Sequence, residues 1–389
     1  MSRSRPRREG ALGLRGFPVR PTSAGPSASG RALLVVTILL VGFGLLSVYS
    51  ASAYVAQRKG LPDTWYLFQQ ASRAGIGFLA LAVAALVDYR LYRRFAWPIL
   101  GAVVLLLLPL VLPGTGGIAP RVNGARRWLD LGVTLQPSEL AKLAVVIWTA
   151  AYAVRKQDLL GDFRLGVLPA LIVIAPVCML VLLEPHFSAA MWIAVLAGTV
   201  LFAAGTRLRH FATLGLGVAG LAVIQIVAAD YRFRRLTAFL DPETAAGTGG
   251  YQLRQSLIAV GSGGLGGVGF GRSMTKMQFL PEPQNDFIFS IIAEEWGFVG
   301  VVILIALFVA WALLGIRIAR GAPDLFGRLL AIGITASVAL AAFAHVAIAL
   351  GLLPTTGVNL PFISAGGTSL VITLAATGIL LNVSAAWRR

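Results

Sequence analysis

Ten apolar runs, each of roughly fifteen to twenty-five residues, occupy most of this 389-residue chain and leave few ways to fold it. About 20 apolar residues at 1.5 Å rise carry a helix across the hydrocarbon core of a bilayer. The runs fall at Ala32–Ser52, Ala71–Val87, Phe95–Leu112, Leu140–Val154, Leu165–Leu183, Ala189–Ala204, Phe211–Ala228, Phe287–Leu314, Leu325–Leu350 and Phe362–Ala385. Soluble domains carry about 25% charged residues; here the share is 13%, against 57% hydrophobic residues. The pattern predicts an all-α polytopic membrane protein of about ten transmembrane helices, with a long extracytoplasmic loop, about 229–285, between spans seven and eight. It excludes a soluble enzyme, a secreted disulfide scaffold and a disordered protein. The turn Glu184-Pro185-His186 separates spans five and six, whose combined length favours two helices over one re-entrant feature.

The formal charge of +17 points away from nucleic acid once its location is considered. Arg3, Arg5, Arg7, Arg8, Arg15, Arg20 and Arg31 crowd residues 1–31 among Pro, Gly and Ser, opposed only by Glu9. That segment reads as a disordered basic cytoplasmic tail held near anionic headgroups, followed by a membrane domain at 32–389. An even span count puts both termini on one side. Placing them in the cytoplasm gives that side 20 of the 33 basic residues, as the positive-inside rule requires. Ten of the other 13 gather in two outer regions: Arg121, Arg126, Arg127 and Lys142, then Arg232, Arg234, Arg235, Arg254, Arg272 and Lys276. Cations on the disfavoured side call for an offset, and an anionic substrate at the outer face is the simplest one. Pairing with headgroups, or with Asp241, Glu243 and Glu282, is the plainer reading.

The outer loop contains an amphipathic piece, Tyr251–Val260, and a glycine-rich run from Gly261 to Gly271. The run matches G-x-G-x-x-G at Gly261–Gly266, but follows no strand and opens no βαβ unit, so it is a hinge or a site of close backbone packing against lipid. Cys178 is the single cysteine and His186, His210 and His345 lack ligand spacing, so neither a disulfide nor a zinc or haem site is expected.

Charged groups inside spans mark functional candidates. Glu139 and Lys142, at i and i+3, can pair on one helical face. Glu184 ends span five, and Glu294 and Glu295 lie two turns into span eight. Asp286 stands at the outer start of span eight, where it reads as a helix N-cap, an active carboxylate, or both. Glu294 is turned about 80° from Asp286 and Glu295 about 180°, some 12 Å along the axis, so no two-carboxylate site forms within that helix.

Four motifs then carry a resemblance: Asn123-Gly124-Ala125-Arg126-Arg127-Trp128-Leu129; Gln136-Pro137-Ser138-Glu139-Leu140-Ala141-Lys142; Leu280 to Phe289 followed by Glu294-Glu295-Trp296-Gly297; and Gly351 to Gly357 continuing through Leu360 to Gly367. In this order the chain resembles the SEDS family of ten-span membrane proteins (FtsW and RodA type), over essentially everything after the tail. Tyr251 to Ala259, with Gly267-Val268-Gly269, looks more like the division (FtsW) branch. The resemblance implies a peptidoglycan glycosyltransferase that polymerises lipid II at the outer face of the bacterial cytoplasmic membrane. By matching motif, Asp286 is its essential carboxylate, Arg127 its RW arginine, and Glu139 with Lys142 its QPSE-x-x-K pair. Asn285 stands where the family usually has Thr, and His186-Phe187-Ser188 where it has an acid, an apolar residue and Gly.

Lipid II presents a pyrophosphate to the membrane surface, for which Arg126, Arg127, Lys142 and Lys276 are suitable clamps. The expected reaction is inverting, with one carboxylate base and release of undecaprenyl pyrophosphate, and no protein metal site; a divalent cation (Mg or Mn) is a possible addition. The implied partners are a class B penicillin-binding protein transpeptidase and other divisome proteins. The rival functions are a lipid II transporter or flippase, and a non-catalytic scaffold for a cell-wall synthase.

Overall fold

Backbone amides and carbonyls in hydrocarbon are satisfied only by internal hydrogen bonds, which a continuous helix supplies within one segment. The computed structural model, which describes residues 26–121, 124–130, 132, 134–212, 215, 248–277 and 283–386, is built accordingly. Its helices are α1 (Ala28–Arg58), α2 (Trp65–Leu86), α3 (Tyr89–Arg94), α4 (Ala96–Val111), α5 (Pro137–Arg155), α6 (Leu168–Leu183), α7 (Phe187–Ala203), α8 (Thr248–Ser262), α9 (Ile288–Arg320), α10 (Leu325–Ala349) and α11 (Gly367–Ala386). A small antiparallel hairpin, β1 (Leu129–Asp130) with β2 (Thr134–Leu135), precedes α5.

Six segments among the described residues are long and apolar enough to cross a membrane: α1, α2, Phe163–Leu183, α9, α10 and α11. The shorter apolar helices α4 and α7 have 16 and 17 residues. α5 has 19 residues and carries Glu139, Lys142 and Arg155. The chain is therefore a polytopic, all-α membrane protein, with helices at nine of the ten predicted spans. The seventh, Phe211–Ala228, lies almost wholly outside the described residues, as do residues 1–25 and 229–247.

Several boundaries differ from the sequence reading: α2 begins at Trp65 and not Ala71, α1 runs on to Arg58, and α9 runs on to Arg320. α1 begins at Ala28, four residues early, because the Ser27 hydroxyl caps it by accepting from the Gly30 amide at 3.2 Å. The last span begins at Gly367 instead of Phe362. Residues 362–366 are a buried turn: Phe362 has φ +67° and packs on Trp311, with ring centroids 5.7 Å apart. The run is apolar because it is buried in protein.

Small residues set the closest helix approach, as between spans in lipid generally. A Cβ on Gly378 of α11 would lie 2.2 Å from the Leu81 carbonyl oxygen of α2, so only glycine permits this crossing.

α9 is broken at Gly297, with φ +63° and ψ −163°. Its carbonyls at Glu294 and Glu295 accept from the amides of Val268 (3.0 Å) and Gly269 (3.1 Å) in the glycine-rich run. The amides of Phe298 and Val299 donate in turn to Gly264 (2.9 Å) and Leu265 (3.2 Å). These four bonds replace the two helical bonds that the break removes. The run is thus a close-packing element, as expected, and the backbone of α9 is what it packs on.

Candidate functional site

α5, α7, α9 and α11 all begin, and α10 ends, around one open cavity of about 640 Å³. Arg73, Arg127, Glu139, Lys142, His186 and Asp286 are its ionisable lining residues. Along α10 the lining runs from Ile334 to Ile348, roughly 20 Å of helix axis. The cavity therefore extends from one end of the bundle well into the membrane domain.

Asp286 is partly buried at the mouth. The N-cap of α9 is Phe287, without a side-chain cap bond, so Asp286 sits one residue before the capping position. The segment in front of it is tied to the buried turn after α10. The Ser364 hydroxyl donates to the Asn285 carbonyl at 2.9 Å and accepts from the Leu360 amide at 2.8 Å, while the Ala365 amide donates to the Gln284 carbonyl at 3.1 Å. On the facing loop, a Cβ on Gly357 would lie 3.7 Å from Asp286 Oδ2, ordinary contact distance.

The predicted pair on α5 is formed. Lys142 Nζ lies 2.7 Å from Glu139 Oε2 and 2.8 Å from Oε1. The pair faces the cavity from the first turns of the helix, with Glu139 buried.

Arg127 reaches the same cavity from the segment leading into the hairpin and donates from Nη2 to the Pro185 carbonyl at 2.6 Å. Beside that contact, in the turn between α6 and α7, Glu184 is 1% exposed. Burial pushes its carboxyl up to about 8, with Arg127 opposing the rise. Burial, then the charges of Arg127 and Lys142, push His186 down to about 3, so its imidazole is neutral at pH 7. Its Nδ1 lies 3.4 Å from the Ser138 hydroxyl.

Of the residues singled out from sequence, Asp286, Arg127, Glu139 and Lys142 share this cavity. Arg126 and Lys276 do not line it. Arg126 turns away, donating from Nη1 to the Leu112 carbonyl at 3.1 Å. Lys276 is 5% exposed and pairs with Glu295 at 2.8 Å, also donating to the Ser50 hydroxyl at 2.9 Å. Glu295 accepts from Ser50 as well (2.6 Å), and Glu294 accepts from the Ser273 hydroxyl (2.5 Å) and the Met274 amide (2.9 Å). The two glutamates therefore anchor the 273–276 segment to α9, and the Lys276 clamp assignment gives way to a buried ion pair. The outer cations at 232, 234 and 235, with Asp241, Glu243 and Glu282, lie outside the described residues.

Sequence reasoning passed over Arg73. It lies in α2, within an apolar span, and that alone marks a candidate. A Cβ on Gly367 would fall 2.6 Å from Arg73 Nε, so the glycine that opens α11 leaves room for the guanidinium at the cavity wall.

Known proteins resemble this chain over most of its length. The probable peptidoglycan glycosyltransferase FtsW of Geobacter sulfurreducens (strain DL-1 / KN400) is 40% identical over 353 residues, 90% of this chain and 94% of that protein. Stage V sporulation protein E of Bacillus subtilis (strain 168) is 40% identical over 357 residues, covering 90% and 96%. A chain of a solved peptidoglycan synthase complex that coordinates polymerization and crosslinking superposes with TM-score 0.74 at 30% identity, covering 90% of this chain and 96% of that one. The rod shape determining protein RodA of Thermus thermophilus superposes with TM-score 0.65 at 29% identity, covering 90% and 95%. The FtsW/RodA/SpoVE family of cell cycle proteins matches residues 31–389, and the chain belongs to that family.

Proposed function

We propose that the chain is a peptidoglycan glycosyltransferase that polymerises lipid II into glycan strands at the outer face of the cytoplasmic membrane, in cell division. The observation that carries this reading is the convergence of Asp286, Arg127 and the Glu139–Lys142 pair on one cavity that opens at an end of the bundle. A substrate with a membrane-embedded tail, a pyrophosphate and a disaccharide needs a groove of this kind.

In the reaction, the acceptor sugar's 4-hydroxyl oxygen attacks the donor's anomeric carbon, and the Asp286 carboxylate takes the hydroxyl proton. The bond from that carbon to the pyrophosphate oxygen breaks, and its electron pair leaves with undecaprenyl pyrophosphate. Direct displacement turns an α-linked donor into a β-linked product, so one base suffices and no glycosyl-enzyme forms. Arg127 and Lys142 supply positive charge where the leaving group gains negative charge. Neutral His186 adds none, and can exchange a hydrogen bond with a sugar hydroxyl. A divalent cation, Mg or Mn, enters this proposal as an ion carried by the pyrophosphate.

The same reading places both termini in the cytoplasm and gives the chain a class B penicillin-binding protein transpeptidase and other divisome proteins as partners. Support comes from the basic-residue asymmetry and from the likeness to a chain of a peptidoglycan synthase complex. The deciding experiment supplies purified protein with labelled lipid II. Glycan strands are expected; translocation across vesicles without strands would make the chain a transporter, and neither activity a scaffold.

A further inference from the structure

At the opposite end of the bundle lies a second cavity, of about 430 Å³, lined by Arg90, Arg93, Arg94, Arg155, Asp324 and Phe326. α5 shows the separation: Glu139 in its first turn faces the first cavity, and Arg155 ends its last turn, about 24 Å away along the axis. Four guanidinium groups and one carboxylate leave the lining with three net positive charges.

The carboxylate is already committed. Asp324 caps α10 by accepting from the Gly327 amide at 2.8 Å, and it also accepts from the Tyr89 hydroxyl and from Arg90 Nε at 3.4 Å. Arg90 lies over the Tyr89 ring, 5.3 Å from its centroid, and Tyr89 stacks on Phe326. Arg90 is thereby held in place and neutralised by Asp324. Among the described residues neither Arg93 nor Arg155 forms an ion pair, and both are exposed. The cavity thus combines a fixed wall with unneutralised arginine, whose planar fork matches two phosphate oxygens at once.

The surroundings identify the source of the phosphate. α3, which bears three of the arginines, is a short helix between spans α2 and α4. Leu86 before it and Phe95 and Trp97 after it are exposed apolar side chains, the kind that meets acyl chains and the interface. We propose that this cavity binds the phosphodiester headgroup of an anionic membrane phospholipid from the leaflet opposite the first cavity, its acyl chains lying along α2 and α4. The lipid would bridge the ends of α3 and α5 next to the start of α10, two of these helices being walls of the first cavity at their other ends.

The test is native mass spectrometry of the full-length chain released from mixed phosphatidylglycerol and phosphatidylcholine micelles. Wild-type protein should retain phosphatidylglycerol over phosphatidylcholine. Arg93→Gln with Arg155→Gln should weaken that retention roughly thirtyfold, at about 1 kcal/mol per basic residue. The control is Arg317→Gln with Arg320→Gln, which removes the same charge from exposed positions at the end of α9. Equal loss in the two double variants would reduce the effect to general surface attraction and overturn the proposal, as would unchanged retention in the first. Release of the lipid by inorganic phosphate at matched concentration would also overturn it, by making the site one for a free anion. Should the double variant not yield monodisperse protein, Arg155→Gln alone is read against Arg317→Gln, with about fivefold weakening expected.

Discussion

Asp286 lies one residue before the capping position of α9. Asn is nearly isosteric with Asp and is itself a good capping residue, so Asp286→Asn should leave the thermal midpoint in detergent within about 1 °C of wild type while strand formation from lipid II falls roughly a hundredfold or more. A neutral amide has no useful basicity; near-normal turnover would return the residue to a structural role. Glu184 offers a second handle. Its folded pKa of about 8 lies above the ordinary glutamate value near 4.3, so the folded state holds an extra proton between those limits and stability falls as pH rises through them. His186, lowered to about 3, acts oppositely, losing stability as pH falls below about 6.5. From pH 6.5 to 8 only the Glu184 effect operates. A midpoint that declines over that window in wild type and stays flat in Glu184→Gln is the expected result; parallel curves would disprove the assignment. At this scale, the sequence shows charges but not their partners. Glu139 and Lys142 were legible as a pair because helical spacing is local. Lys276 was not, because its partner Glu295 is 19 residues on, beyond the reach of local helical spacing.

Helices as elements read well from hydropathy, since lipid permits few other backbone states. Residues 362–366 escaped that reading because apolar character reports burial without saying whether lipid or protein provides it; Pro361, Gly366 and Gly367 were the available breaks. The glycine-rich run was legible as a close approach, but its target on α9 is a tertiary fact. Gly297→Ala should be severely destabilising: a Cβ there would sit 2.3 Å from the Gly267 amide nitrogen, and φ +63° already disfavours it. The expected readout is loss of monodisperse protein or a midpoint lowered by many degrees, and a fully stable variant would mean that the break straightens without cost. On α5, changing Glu139→Gln and Lys142→Met together should cost less thermal stability than either change alone, since a single removal strands a charge at a largely buried site. Additive losses in the double-mutant cycle would instead give the two side chains independent roles.

The whole molecule has two unlike ends, one with the carboxylate-bearing cavity and one with the arginine-lined cavity, and the orientation of the chain decides which faces the cell exterior. In a Cys178→Ala background, Arg254→Cys should label from outside in intact cells and Pro323→Cys only after permeabilisation, both positions being exposed; the reverse pattern would overturn the orientation and the substrate side together. Synthesis runs from the N-terminus, so Gly263 to Gly269 leave the ribosome before the α9 carbonyls and amides that they pair with exist. While it waits, that stretch must keep its backbone in water or among headgroups. Newly inserted α9, alone in lipid, has its own partners at Glu294–Phe298 and Glu295–Val299 and is satisfied as a straight rod. On this order of synthesis the bend can form only once both partners are present, by exchange of these bonds.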